Sequence, residues 1–428
     1  MYFQPQMAHH PSFNALVASW CLALAAPFAA AGQPTVEAIQ KPTYPFSQDM
    51  AQTVQAATTP AQRTAAAEQA AVASSFIGDY RAALQYVDRN APAMPTISKA
   101  DSLYFLRFRP QNAREYILAR AGRERIVMIN EAHHVPLHRV FTLSLLAGLY
   151  RQGYRYLGAE TLSEWDQGLA KRGYPVTSST DYATNSGYYT AEPQYGNLIR
   201  EALRLGFTVF AYDTFPDAPP ADFARQREIQ QARTIQKVLQ ADPTAKILIH
   251  AGYDHIREDS LGGSWGKAMA GRVKEFTGIN PFTINQEKLS EKSAPRFENP
   301  YYKLAQATEA SVFQNPAGQV FAGPVGASLF DVRVYHPPTR YHDGRPDWLV
   351  LNGRRKSHIL PQRAQLGAYP CLVFAYRKEE DSRVAVAADI IELRTPQDRT
   401  ALILEPGRYL LRFQARNGTT KQMPLRIK

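Results

Sequence analysis

Arg125-Ile126-Val127-Met128-Ile129-Asn130-Glu131-Ala132-His133-His134 and Lys246-Ile247-Leu248-Ile249-His250-Ala251-Gly252-Tyr253-Asp254-His255 are short apolar runs that each end in ionisable side chains. The first reads as a strand over 125–130 and the second as a strand over 246–249. Around them the same alternation continues. Strands are predicted over 154–159, 207–212 and 280–285, with later ones at 330–335 and 348–351. Amphipathic stretches at 136–152, 197–205, 223–240 and 267–276 read as helices between them. Strands alternating with helices predict an α/β fold, a mostly parallel sheet covered by helices, over residues 101–360.

The flanks have a different character. Residues 361–428 predict a small all-β, sandwich-like domain, with strands at 371–376, 384–393, 400–404, 409–415 and 421–427 and a hairpin turn at Asn417-Gly418. Residues 32–100 predict a linker over 32–60, then a helical hairpin packed on the next domain. Residues 1–31 carry no Lys, Arg, Asp or Glu and end in Ala29-Ala30-Ala31, which predicts a cleaved signal peptide and an exported chain, periplasmic or secreted.

Composition narrows the function classes. Of 428 residues, 45% are hydrophobic and 20% charged, which is globular and excludes a disordered or coiled-coil chain. Two cysteines exclude a disulfide scaffold and a Cys-rich zinc module. There is no Walker A loop and no G-x-G-x-x-G. The net charge of +11 is compatible with an anionic envelope surface, but the basic residues are scattered without interleaved aromatics, which argues against nucleic acid. Nothing in the sequence sets the oligomeric state.

In open α/β sheets, ligands bind beyond the carboxyl ends of the strands. Here four successive strands run into Glu131 with His133, then Glu160, then Asp213, then His250 and His255. Glu131 and His133 are two apart, so an extended backbone puts them on one side. Such a pair either shares a metal or holds the imidazole as a general base. A buried Glu131 needs a metal, a histidine or Arg139 as partner. Arg139, on the first turn of the following helix, is placed to neutralise an anion. Taken singly, Glu160 reads as a helix cap, Asp213 as a turn or cap residue, His250 as a satisfied core histidine, and His134 and His138 as outlying. Gly262-Gly263-Ser264-Trp265-Gly266 matches G-x-S-x-G, but no strand precedes it, so Ser264 is expected to cap a helix. The Tyr-rich stretch 178–195, with Tyr182, Tyr188, Tyr189 and Tyr195, reads as a polar insertion on the same edge.

Asn130-Glu131-Ala132-His133, then His138-Arg139, then Glu160, then Gly252-Tyr253-Asp254-His255 resemble the erythromycin-esterase/ChaN-like superfamily, which includes the Tiki/TraB-type proteins. Asn130 stands where that group carries glycine. The resemblance implies that Glu131, His133, Glu160 and His255 line the site. It also implies one of three chemistries: metal-dependent proteolysis, metal-free hydrolysis of an ester by a histidine-activated water, or haem binding. The expectation is an exported hydrolase acting on a small-molecule or peptide substrate. In its metal form His133, His255, Glu131 and Glu160 hold a divalent ion such as zinc, manganese or cobalt. In its metal-free form His133 is the base and Glu131 orients it. Arg139 steadies the oxyanion in both. The alternative is a haem or iron-complex binder ligated through Tyr188 or Tyr189.

Overall fold

The computed structural model describes residues 44–177, 185–213, 222–260, 264–323 and 329–428. The expected signal peptide at 1–31, Tyr182 and Gly262-Gly263 lie outside the described residues. Among the described residues four helices come first: α1 (Ser47–Ala56), α2 (Pro60–Phe76), α3 (Tyr80–Asp88) and α4 (Lys99–Phe105). Strand β1 (Arg109–Asn112) and α5 (Ala113–Ala121) lead into β2 (Ile126–Glu131), α6 (Leu137–Arg151), β3 (Tyr156–Ala159) and the short α7 (Leu169–Arg172). Then follow α8 (Pro193–Leu205), β4 (Thr208–Ala211), α9 (Phe223–Ala241), β5 (Ile247–Gly252), α10 (Met269–Thr277), β6 (Phe282–Leu289), α11 (Pro300–Leu304), β7 (Ser311–Gln314) and β8 (Val332–Tyr335). A small ribbon, β9 (Tyr341–His342) with β10 (Arg345–Pro346), precedes the C-terminal strands. These are β11 (Lys356–His358), β12 (Cys371–Arg377), β13 (Asp389–Leu393), β14 (Leu402–Leu404), β15 (Gly407–Ala415) and β16 (Thr420–Ile427).

The large sheet has the order β1-β7-β8-β6-β2-β5-β3-β4. From β8 to β4 every pairing is parallel, while β7 and β1 join antiparallel at one edge. The chain is therefore α/β, as its alternation predicts. Strand parity sorts the side chains. Val127 and Ile129 of β2 and Leu248 of β5 pack with Leu145, Leu146 and Leu149 of α6, whereas Ile126, Met128, Ile247 and Ile249 pack with Ile235 of α9 and Val273 of α10. Among the described residues no helix is long and apolar enough to cross a membrane.

The C-terminal sheet runs β13-β12-β15-β16, all antiparallel, with β15 and β16 joined through the expected Asn417-Gly418 turn. Gly418 takes φ 87°, the left-handed conformation that suits glycine. One face of this sheet meets the β11–β14 pair through Leu402 and Leu404. The other face, with Leu372, Phe374 and Tyr376, is covered by Met50 and Val54 of α1 and Ala70 of α2.

Three expectations about elements are corrected. Residues 47–56, read as linker, form α1; two buried anchors four residues apart suffice to dock a short helix but leave no sustained period. The helical hairpin packs mainly on the distant C-terminal sheet rather than on the next domain alone. Residues 348–351, read as a strand, lie in a 3₁₀ turn (Asp347–Val350) followed by Leu351 at φ 48°. A four-residue apolar run has no periodicity with which to tell the two apart.

Candidate active site

Strand β5 continues past Ile249 to Gly252 because its ladder with β2 runs on through Glu131↔Gly252. His250 is therefore a strand residue, and parity turns Glu131 and His250 to the α6 face. There Arg139 grips Glu131 with two bonds, Nε to Oε2 and Nη2 to Oε1, both 2.6 Å. His133 Nδ1 lies 2.9 Å from Oε1 and His250 Nε2 lies 2.8 Å from Oε2. A carboxylate has about four lone-pair positions, and these four contacts fill them. Burial pushes the Glu131 carboxyl up, but the Arg139 charge and the bonds from Arg139, His133 and His250 hold it well below the usual range. An ionised carboxylate only accepts, so both facing ring nitrogens carry protons. Neutral His133 then keeps its lone pair on Nε2.

Arg139 is fully buried. Two further bonds run from Nη1 to Glu192 Oε2 at 2.9 Å and from Nη2 to the His133 carbonyl at 2.9 Å. The expected role of Arg139 on an oxyanion is thus corrected: its fork is spent on protein acceptors, and it positions Glu131 and His133. Glu192 also caps α8 by accepting from the Tyr195 amide.

Glu160 ends β3 with the opposite parity and meets α9. Arg227 Nη2 reaches Glu160 Oε1 at 2.9 Å, and the same guanidinium clasps Asp213 through Nε at 2.8 Å and Nη2 at 2.5 Å. Glu160 Oε2 also accepts from the Gly252 amide. The helix-cap reading of Glu160 and the turn reading of Asp213 give way to this buried network. His255, on the 3₁₀ turn after β5, has Nε2 3.5 Å from Glu160 Oε1 and Nδ1 2.7 Å from Glu228 Oε1. Glu228 in turn accepts from the Met269 amide at the start of α10. Burial pushes His255 down, but the Glu228 and Glu160 carboxylates outweigh it and hold it above its ordinary value. Burial pushes Glu160 up, yet His255, His133, Arg227 and the Gly252 amide bring it down to about 2. The result is a chain of groups, Glu131–His133 on one flank and Glu228–His255 on the other, with Glu160 between the histidines.

Gly252 is the pivot. A Cβ there would stand 2.6 Å from His133 Nε2 and 2.9 Å from Glu160 Oε2, so the two groups converge on a spot that only glycine leaves open. Gly252→Ala is expected to keep the fold, seen as an unchanged far-UV circular dichroism spectrum, while turnover falls at least tenfold because His133 must move. Unchanged turnover would show that the convergence has no catalytic role.

Asn130, in the glycine position of the motif, ties the strand ends together: it accepts from the Gln286 amide at 2.7 Å and donates to the Tyr253 carbonyl at 2.7 Å. Tyr253 sits at φ 42°, an uncommon place for a bulky residue. Its ring stands edge-on to His133. Tyr189 stacks on His133 with centroids 3.9 Å apart, and Tyr188 packs against Phe76 of α2. These are the two tyrosines expected to ligate haem. His133 and His255 are each 5% exposed, so the site is closed.

The other motif residues fall elsewhere. His138 accepts from the Ala132 amide and faces Ser290, and burial leaves it well below its ordinary pKa. His134 is likewise buried and pushed down to about 3. Ser264 is exposed and is not a cap: α10 begins after Ala268 without a side-chain cap. Among the described residues no group of three or more His, Cys, Asp or Glu side chains is placed to hold a metal ion. Glu131, with its lone pairs filled, does not fit as a ligand. Sequence reasoning missed Glu192, Arg227 and Glu228. Their one sequence signal is the Arg227-Glu228 pair with Gln231 one turn on; Gln231 also binds Asp213, at 2.9 Å.

No family model matches the chain, and no curated protein does. Three solved structures show weak likeness. The type III effector HopBA1 is 15% identical with a TM-score of 0.29, over 42% of this chain and 86% of that one. RRSP, a MARTX toxin effector domain from Vibrio vulnificus CMCP6, is 14% identical with a TM-score of 0.28, over 64% of this chain and 49% of its own. A structure described as "Bacterial protein toxins" is 13% identical with a TM-score of 0.29, over 56% of this chain and 57% of its own. Likenesses this weak carry no functional argument.

Proposed function

We propose that this chain is a hydrolase that uses a histidine-activated water on a peptide or ester bond, without a metal. The observation that supports it is the Glu131–His133 contact of 2.9 Å, on a carboxylate whose remaining acceptor positions are filled by Arg139 and His250. His133 Nε2 takes a proton from water while Glu160 orients it. The oxygen adds to the substrate carbonyl, and protonated His255 gives its proton to the leaving group as the carbonyl re-forms. His133 then releases its proton to solvent and His255 regains one. The resemblance to the erythromycin-esterase/ChaN-like superfamily agrees with this chemistry. In this reading Tyr188 and Tyr189 are packing residues rather than haem ligands.

The test joins elemental analysis of the purified chain to a screen with p-nitrophenyl esters and a fluorogenic peptide pool. The expected result is hydrolysis without stoichiometric zinc, manganese or cobalt. Stoichiometric metal would overturn the metal-free route, and hydrolysis unaffected by His133 substitution would overturn the site. The pH profile carries a further expectation. His255 must be protonated to donate, so activity declines as pH rises through its raised pKa. Glu228→Gln removes the neighbour that holds the proton, so this alkaline limb should move to lower pH. An unmoved limb would remove His255 from the acid role.

A further inference from the structure

A cavity of about 190 Å³, rimmed by charged side chains, lies away from the histidines where α8 meets the C-terminal region. Arg200, Arg204, Arg355 and Arg377 line it, together with Glu201, Glu380 and Glu405. Three of the arginines are matched locally. Arg200 spans both oxygens of Glu380 at 2.7 and 2.6 Å, and Arg204 spans both oxygens of Glu201 at 2.8 and 2.9 Å. Arg377 reaches Glu405 at 2.9 Å, and its Nε is buried without a partner. Arg355 differs. It is 4% exposed and makes no ion pair among the described residues; only its Nη1 is used, on Gln194 Oε1 at 2.6 Å and the Leu349 carbonyl at 3.4 Å.

A buried guanidinium that bonds no carboxylate is costly, and the carboxylates nearest this one, Glu405 and Asp389, are each engaged by another arginine. Arg355 lines the cavity, and among the described residues its Nε and Nη2 make no hydrogen bond. A planar fork of N–H donors matches the oxygen pair of a carboxylate or phosphate. We propose that this cavity binds a small oxyanion, through Arg355 with Arg377 beside it. Arg355 bonds Gln194 of α8, and Arg377 belongs to β12. A bound oxyanion would therefore brace the α/β sheet layer against the C-terminal sheet, independently of any hydrolysis. Burial lowers the Arg355 pKa, and the nearby Glu405 and Asp389 carboxylates, neither of which it bonds, offset this only in part.

Thermal unfolding of the full chain tests this, with chloride replaced at constant ionic strength by inorganic phosphate in one series and malonate in another. The expected result is a saturable rise in Tm with at least one oxyanion, absent in Arg355→Met. That variant should stay folded in chloride, because the bonds to Gln194 and Leu349 are lost together with a buried charge that bonds no carboxylate. A rise with phosphate alone identifies a phosphate site, and a rise with malonate identifies a carboxylate site. Should Arg355→Met fail to fold, isothermal titration of the wild type with the same two anions decides. No heat and no Tm shift with either anion, or an equal shift in Arg355→Met, would overturn the proposal.

Discussion

His133→Gln is expected to lower hydrolytic turnover by about 10²–10⁴-fold, the range a positioned general base contributes. Glutamine offers Glu131 a donor in place of Nδ1 but supplies no base, so the variant separates proton transfer from packing. The Glu131 carboxylate keeps its other three bonds, from Arg139 and His250, and the variant should remain folded with a similar Tm. His133→Ala removes both functions and is expected to be equally inactive but less stable, since the ring that stacks on Tyr189 is lost. Steady-state rates beside thermal unfolding of both variants decide it. Retained turnover in both would sink the assignment of the base, whatever the substrate.

The largest expected effect on stability is at Arg139. Arg139→Met leaves Glu131 and Glu192 buried without the cation they share, and breaking a buried pair in this way costs about 3–5 kcal/mol. The sign with pH follows from Glu131, because at Glu192 burial outweighs Arg139 and holds that carboxyl above its ordinary value. The folded pKa of Glu131 lies well below the ordinary value. It therefore contributes stability that is present above the unfolded value of about 4.3 and is lost only as pH falls through the lower folded one. In Arg139→Met the main cause of that depression is gone, and protonating the two carboxyls relieves the uncompensated charge. The gap between variant and wild type is thus widest near neutral pH and narrows as the pH is lowered. Urea unfolding at neutral and acid pH measures it. A variant within about 1 kcal/mol of wild type at neutral pH would mean that the Glu131–Arg139–Glu192 cluster is not what holds β2, α6 and α8 together.

Much of the site is legible in the sequence. An extended backbone would turn Glu131 and His133 one way; β2 in fact ends at Glu131 and His133 stands in the turn that follows, yet the two still meet, and strand ends in a parallel sheet gather on one edge. Both expectations come from local geometry. Glu192, Arg227 and Glu228 are not legible in this way, because each acquires meaning only from a group far along the chain: Glu192 from Arg139, Arg227 from Glu160 and Asp213, Glu228 from His255. The position of Arg139 one turn into α6 suggests a charge for a reacting oxygen. Packing decides otherwise, since a fork enclosed by α8 bonds to the carboxylates already there.

By itself, then, the sequence determined the α/β class, the parallel alternation, the strand ends that carry the ionisable groups and the C-terminal hairpin, because periodicity and turn chemistry act over a few residues. The tertiary structure decided the sheet order, which sets β5 between β2 and β3 and so brings Gly252 against both His133 and Glu160. It also decided that the N-terminal helices cover the C-terminal sheet, and that Arg355 stands without a carboxylate partner among the described residues. These depend on contacts between segments from 92 residues apart (Glu160 and Gly252) upward, and no local pattern encodes which buried charge meets which.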